Sequence, residues 1–120
     1  MIENPYGVAL LISATHFLFD WILQKRTWAN EKNSSHKSLM MHVFTVSLGN
    51  LIAGILLFND VRQILIFVIY NGIIHYIIDY ISSRAYKMAP MGAPRINVVA
   101  IDQFLHFVTY ITSLYICYGG

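Results

Sequence analysis

"NGIIHYIIDY", residues 71–80, places a histidine and an aspartate in the middle of a long apolar run. His75 and Asp79 are four residues apart, so on an α-helix they lie on one face, about 6 Å apart along the axis. An ionisable residue within a membrane-spanning helix is costly and marks a functional site by default. Fold and function therefore depend on whether this run spans a membrane and whether the pair is repeated elsewhere.

The composition is that of a membrane protein. The 120 residues are 57% hydrophobic and only 12% charged, whereas soluble domains carry about 25% charged residues. We expect one transmembrane domain over residues 1–120. The net charge of +2 and the lack of a basic helix give no reason to expect nucleic-acid binding. The single cysteine, Cys117, allows no disulfide within the chain, and we expect it to face lipid near the outer end of the last span.

Four apolar stretches have the roughly 20-residue length that a membrane-spanning helix needs. The predicted spans are residues 5–24, 38–58, 61–81 and 98–118, with a tight turn at Asn59 and Asp60 between the second and third. The linkers are residues 25–37 and 82–97. We therefore predict an all-α integral membrane protein folded as a four-helix transmembrane bundle.

The basic residues predict an orientation in the inner (cytoplasmic) membrane. Arg62 lies at one end of the bundle, and the other seven basic residues lie at the opposite end. The positive-inside rule places both linkers in the cytoplasm and both termini outside. Trp21 and Trp28 suit an aromatic belt at the cytoplasmic interface. The seven residues are Lys25, Arg26, Lys32, Lys37, Arg84, Lys87 and Arg95.

The opening pair is repeated in the other predicted spans. His16 and Asp20 form the same pair in the first span. In the fourth span the order is reversed, with the aspartate four residues before the histidine, and the second span contributes one histidine. Counted from the basic residues, the pairs lie roughly 7–10 Å below one cytoplasmic surface. Groups at one depth on the inward faces of a bundle must meet, as in metal sites of bundle cores. The candidate ligands are His16, Asp20, His42, His75, Asp79, Asp102 and His106.

Seven candidates exceed the three protein ligands of one catalytic zinc site. They suit two metals sharing a bridging carboxylate, or one metal whose histidines are oriented by aspartates. Imidazole with carboxylate favours a transition metal, and we predict one or two ions of zinc or manganese. Two metal-free interpretations stay open: His–Asp hydrogen bonds that hold the helices together, and a proton or ion relay.

The segments "HFLFDWILQ", "MH", "HYIIDYISSR" and "DQFLHF" resemble a family of small bacterial and phage four-span membrane proteins of unknown function. The resemblance covers nearly the whole chain and rests on two His-x3-Asp motifs and a closing Asp-Gln-x2-His. A looser similarity to membrane-bound metal-dependent hydrolases implies a hydrolytic activity. The family resemblance implies that nine positions act together: His16, Asp20, Gln24, His42, His75, Asp79, Asp102, Gln103 and His106.

The leading hypothesis is an intramembrane metal-dependent hydrolase with its site at the depth of the cytoplasmic leaflet. A bound metal can activate water and polarise a phosphoryl oxygen, and Asp102, which opens the fourth span, is the candidate general base. The expected substrate is a phosphoester of an anionic lipid or of a nucleotide at the membrane. The candidate substrate-binding residues are Gln24, Gln103, Arg84, Lys87 and Arg95.

Two other classes of function use the same residues. A divalent-ion or proton transporter would need a polar path towards the outer face, where the spans offer few polar residues. A non-enzymatic phage-type lysis or exclusion factor would use the metal structurally. Besides the lipid bilayer, the partner expected from the chemistry is the anionic substrate, and assembly as a homo-oligomer stays open.

Overall fold

A computed structural model of the protein describes residues 4–22, with side chains as far as Asp20, and residues 36–119. Within these ranges the chain is all-helical, which confirms the all-α part of the predicted fold class. Helix α1 (Pro5–Phe17) runs into a π-helical turn (Leu18–Ile22). Three longer helices follow: α2 (His36–Leu57), α3 (Val61–Met88) and α4 (Ala93–Gly119).

Three of the described helices, α2, α3 and α4, are long and apolar enough to cross a membrane. The predicted first span is only partly seen, because α1 has 13 residues and its π turn five more. Several predictions fall outside the described residues: Gln24, the cytoplasmic linker up to residue 35, and the interfacial placement of Trp21 and Trp28.

The predicted linker 82–97 is mostly helical. Helix α3 continues to Met88 and α4 begins at Ala93, so only residues 89–92 connect them. Hydropathy marks where an apolar span ends, and the polar residues after it are still compatible with a helix. The helix ends at Ala89, which is extended (φ −74°, ψ 144°) because the residue before a proline, here Pro90, is disfavoured in the α region.

The predicted turn between the second and third spans is present. Helix α2 ends at Leu57, and the side chain of Asp60 accepts a hydrogen bond from the Arg62 backbone N–H at 3.0 Å. This N-cap satisfies one of the backbone N–H groups that the first turn of α3 leaves without a helical partner. The short connection makes α2 and α3 antiparallel neighbours.

Helix α3 packs against both α2 and α4, while α1 and its π turn pack mainly against α2. An apolar core that includes Ile12, Phe58 and Phe67 lies towards the α2–α3 turn. Cys117 belongs to this core and is buried, so the prediction that it faces lipid is wrong. Its thiol donates to the Gln63 carbonyl across the α3–α4 contact at 3.6 Å, a pairing that the sequence does not reveal.

A close approach between the π turn and α2 depends on Gly49. A Cβ atom added there would lie 2.6 Å from Cδ2 and 2.7 Å from Cγ of Phe19. Real Cβ contacts are essentially never under 3.0 Å, so only glycine lets the Phe19 ring lie against α2. Asp20 follows Phe19 directly, so this contact also sets how far the Asp20 carboxylate reaches into the bundle.

Candidate metal centre

The polar faces of all four helices meet inside the bundle, at the end opposite the apolar core. The structure brings together the seven side chains that the sequence singles out as candidate ligands. Six of them are buried and Asp102 is partly exposed. Helix α1 and its π turn contribute His16 and Asp20, α2 contributes His42, α3 contributes His75 and Asp79, and α4 contributes Asp102 and His106.

Four of these side chains form a compact group that could hold a metal ion: Asp20, His42, His75 and Asp79. The Nε2 atom of His42 lies 2.9 Å from Asp20 Oδ1 and 2.9 Å from Asp79 Oδ2. The Nε2 atom of His75 lies 3.1 Å from Asp79 Oδ2 and 3.7 Å from Asp20 Oδ1. The two Nε2 atoms are 3.2 Å apart.

The spacing of this group also suits a bound metal ion. A neutral imidazole has at Nε2 either one hydrogen or one lone pair, yet Nε2 of His42 faces two carboxylate oxygens and a second imidazole nitrogen. Ligand atoms about 2.0–2.1 Å from a tetrahedral ion lie about 3.3–3.4 Å from one another. The observed separations of 2.9–3.7 Å are close to that spacing, so the donor set fits one cation at its centre.

A second group on the α3–α4 side could also hold an ion: Asp79, Asp102 and His106. The Nε2 atom of His106 lies 3.2 Å from Asp79 Oδ1 and 3.4 Å from Asp102 Oδ2. The rings of His75 and His106 stack, with centroids 4.2 Å apart and planes inclined by 23°. Stacking presents the two Nε2 atoms side by side to the same carboxylate.

Asp79 is the residue common to both groups. Its Oδ2 atom faces His42 and His75, and its Oδ1 atom faces His106. This is how a carboxylate is placed when its two oxygens bridge two metal ions. Asp79 is thus the carboxylate whose two oxygens face both candidate groups.

His16 lies beside the first group. Its Nδ1 atom is 3.3 Å from the Tyr110 hydroxyl, which donates to Asn50 Oδ1 at 2.7 Å. Since the Tyr110 hydroxyl donates its only hydrogen to Asn50, it accepts a hydrogen bond from His16. The Nδ1 atom of His16 therefore carries a hydrogen.

The other nitrogen of His16 then faces two oxygen atoms. Its Nε2 is 3.3 Å from Asp20 Oδ2 and 3.1 Å from Gln103 Oε1. The Gln103 amide donates its N–H to Asp102 Oδ2 at 3.0 Å, which directs its carbonyl oxygen at His16. Either a hydrogen on Nε2 or a cation beside Asp20 would satisfy these two acceptor oxygens.

Asp102 is held from two sides. The Ser82 hydroxyl donates to Oδ1, while Gln103 donates to Oδ2. The Asp102 side chain is 14% exposed, against 2% for Asp79. Asp102 is therefore the more exposed carboxylate of the second group.

The predicted substrate-binding arginines are engaged in local contacts at this end of the bundle. The Arg84 guanidinium lies 3.6 Å above the Tyr80 ring and donates to the Tyr80 carbonyl. The Arg95 guanidinium is 5.0 Å from the Tyr86 ring centroid, and its Nε donates to the Ala89 carbonyl. Lys87 is exposed in the last turn of α3. Lys25 and Arg26 lie in the part of the chain that the structure does not describe.

The π turn gives Asp20 its position. A π-helical turn is rare and is frequently found at functional sites, and here it contains the aspartate that approaches His16, His42 and His75. The sequence analysis assumed a regular helix for this segment. Asp20 nevertheless keeps its contact with His16 four residues before it.

Three participating residues escaped the sequence analysis: Ser82, Asn50 and Tyr110. A signal was present for each of them. Tyr110 lies four residues after His106, and Ser82 lies three after Asp79, so both continue the polar face of their helix. Asn50 lies eight residues after His42 and continues the face of α2 in the same way.

The sequence pattern of the family described as "Protein of unknown function (DUF3307)" matches residues 8–118. The chain therefore belongs to this family, which agrees with the expected membership of a family of unknown function. No curated protein and no solved structure matches the chain.

Proposed function

We propose that this family member is an integral membrane protein whose polar core holds two divalent transition-metal ions and uses them to hydrolyse an ester. The observation that carries the proposal is the position of Asp79, one oxygen of which faces His42 and His75 while the other faces His106. A hydrogen-bonded helix contact needs no such shared carboxylate, whereas a two-metal site does.

The distribution of side chains supports insertion into a membrane. Large apolar residues such as Phe44, Ile69 and Ile111 are exposed on the outside of the bundle, and the charged cluster is inside. Soluble monomers rarely expose apolar patches of such extent. We propose four spans in the inner membrane, with both termini outside and the linkers 25–37 and 82–97 in the cytoplasm.

Reporter fusions test this orientation. Fusions after Lys32 and after Gly120 are expected to report opposite sides of the membrane, with the first in the cytoplasm. A cytoplasmic signal from both would contradict the proposed orientation and would place an even number of spans between the two points.

Two ions fit the charge and the spacing of the cluster. Its three carboxylates, Asp20, Asp79 and Asp102, bring three negative charges into a largely buried site, where uncompensated charge is strongly unfavourable. Two divalent ions offset it. The metals of two-metal sites lie about 3.5–4 Å apart, close to the 4.2 Å between the stacked rings of His75 and His106. The mixed imidazole and carboxylate donors suit zinc or manganese.

The two positions differ in a way that supports catalysis. The first has four protein donors, the number typical of a closed structural site. The second has His106, Asp79 Oδ1 and at most Asp102 among the described residues, so a position stays open for a substrate. If a divalent ion is held there by His106 and Asp79, it would supply polarisation of the ester oxygen and activation of water.

Asp102 is the proposed general base for this reaction. It is the most exposed carboxylate of the cluster, and Ser82 and Gln103 hold it in place. Gln103, Arg84, Lys87 and Arg95, together with Gln24, are the proposed contacts to the polar part of an anionic phosphoester. Tyr80 and Tyr86 fix the two arginines by stacking.

The test is a screen of phosphoesters with purified protein and two matched variants. Asp102→Asn is expected to keep both metals and to lose hydrolysis by about 10²–10⁴-fold. Asp60→Asn, at the α2–α3 turn, is the control that changes a carboxylate outside the cluster. If Asp102→Asn loses metal and activity together, Asp102 is a ligand and not the base. A two-metal wild type that hydrolyses no phosphoester would contradict the proposed activity.

A second candidate function, transport of a divalent ion or proton, is favoured by one observation. Buried polar residues continue beyond His16 towards the other end of the bundle, where Tyr110 contacts Asn50 and Asn71 contacts Ser113. Asn50 Nδ2 and Asn71 Oδ1 are buried polar atoms without a hydrogen-bond partner among the described residues. The path is thus more polar than the sequence indicates. Zinc uptake into proteoliposomes that Asn71→Leu abolishes would support transport over hydrolysis.

A further inference from the structure

A groove of about 950 Å³ opens on the side of the bundle between α1 and α4. Val8 and Ile12 of α1 form one wall, and Ile111 and Leu114 of α4 form the other. It exists because α1 packs mainly against α2 and leaves the outer face of α4 uncovered. The groove lies on the apolar surface that the proposed function places in the membrane.

The inner end of the groove adjoins the candidate metal centre. Phe107 and Tyr110 both line the groove and both contact His16. The ring centroids of Phe107 and His16 are 5.9 Å apart, and the Tyr110 hydroxyl is 3.3 Å from His16 Nδ1. The other end is at Tyr118, eleven residues further along α4. At 1.5 Å per residue the groove is about 16 Å long, which is about half of the roughly 30 Å hydrocarbon core of a bilayer.

We propose that this groove binds the single hydrocarbon tail of an amphiphilic phosphoester whose phosphate lies at the metal centre. The proposal rests on the proposed hydrolase function and narrows its substrate from a lipid or a nucleotide to a lipid. The tail extends from the cluster towards the α2–α3 turn, and the phosphate lies at the end where Arg84, Lys87 and Arg95 are found.

Charge distinguishes a lipid tail from a nucleotide. Among the described lining residues the only charged side chain is Asp60, at the end far from the metal centre. A negative charge and apolar walls disfavour a nucleotide, whose sugar and base need polar partners. A neutral alkyl chain instead suits the apolar walls formed by Val8, Ile12, Ile111 and Leu114.

Size distinguishes a lipid tail from a second protein helix. A helix with side chains is about 10–12 Å across, so a 16 Å segment of it fills about 1,300–1,800 Å³. The groove offers about 950 Å³, which is within the range of about 300–1,000 Å³ for small-molecule sites.

The reaction that follows is a simple hydrolysis. The oxygen of water forms a bond to phosphorus, the bond from phosphorus to the oxygen of the alkyl chain breaks, and that oxygen leaves as an alcohol with a proton from the water. No oxidant or reductant takes part. The products are a long-chain alcohol, which leaves through the groove, and inorganic phosphate, which leaves at the basic end.

Binding of dodecyl phosphate tests the proposal independently of turnover. Native mass spectrometry of the metal-loaded protein, purified in digitonin to avoid a competing single-chain detergent, should show one dodecyl phosphate per chain. Ala9→Trp, which fills the groove, should weaken this binding at least tenfold. Ile111→Trp fills it from the opposite wall and serves if the first variant does not fold. Ile69→Trp, on the exposed face of α3, is the matched control and should bind as wild type does.

Three results are decisive. Equal dodecyl phosphate affinity in wild type and in both groove variants would overturn the proposal, as would binding of adenosine monophosphate that Ala9→Trp does not affect. Groove-dependent binding without release of phosphate would support the tail site while contradicting the hydrolase. Failure of the proposed tail site can therefore be distinguished from failure of the proposed hydrolase function.

Discussion

Replacing Asp79 by Asn changes one atom at the point where both candidate metal positions meet. In the wild type, Oδ2 lies 2.9 Å from His42 Nε2 and 3.1 Å from His75 Nε2, while Oδ1 lies 3.2 Å from His106 Nε2. Asparagine keeps one oxygen, and its NH₂ group donates hydrogen bonds but cannot bind a cation. Whichever way the amide turns, one of the two positions loses a ligand and the cluster loses a negative charge.

The expected loss of metal affinity in Asp79→Asn can be scaled from substitutions of residues that do not bind the metal directly. Removing a residue that only orients a metal ligand typically costs 10–100-fold in metal affinity. Loss of a direct ligand is therefore expected to cost at least about 100-fold at one position, or about 2.7 kcal/mol. Zinc at about 100 times its dissociation constant stabilises the wild-type fold by about 2.7 kcal/mol, and the same concentration stabilises the variant position by only about 0.4 kcal/mol.

Two measurements check this prediction. Elemental analysis of the purified proteins should show two ions per chain in wild type and at most one in Asp79→Asn. The zinc-dependent rise of the unfolding midpoint should shrink in parallel. Asp60→Asn is the control, because asparagine replaces aspartate well as an N-cap and Asp60 is exposed at the α2–α3 turn. Equal metal content in all three proteins would refute the bridging role of Asp79.

Three further predictions concern the supports of the site. Gly49→Ala is expected to push Phe19 away from α2, because the new Cβ would lie 2.6 Å from its ring. The resulting displacement of Asp20 should lower the metal content. A crystal or cryo-electron microscopy structure of the variant with Phe19 unmoved would contradict this. Tyr110→Phe removes the hydroxyl between His16 and Asn50 and should weaken metal binding about 10–100-fold in a zinc titration, while Tyr115→Phe, on an exposed ring, should not. Chelation of the metals should lower the unfolding midpoint reversibly, since ions bound only to the folded state stabilise it; an unchanged midpoint would argue for a metal-free hydrogen-bonded core.

Much of the site could be predicted because its signals are local. His75 and Asp79 are four residues apart on one helix, and the same spacing recurs at His16 with Asp20. A spacing of four places both groups on one face whatever the tertiary structure. Their similar distances from the basic residues then bring the pairs to one level of the bundle, where the structure finds them in contact.

The rest depends on contacts between segments distant in sequence. That Asp79 faces His42 with one oxygen and His106 with the other follows from side-chain torsions that no spacing encodes. The π turn around Asp20 and the contact of Phe19 with Gly49 depend on how α1 docks on α2. Helix α3 is longer than its predicted span for a different reason: the polar residues after Ile81 lie outside the apolar span but continue the helix.

Metal content of the wild-type protein tests the central claim most directly. The protein is to be purified in detergent, incubated with zinc or manganese, freed of loosely bound ions by gel filtration, and analysed by inductively coupled plasma mass spectrometry against its concentration from amino-acid analysis. The account predicts two transition-metal ions per chain. A folded protein that retains none would contradict it and would leave the histidine–aspartate cluster as a hydrogen-bonded contact between helices.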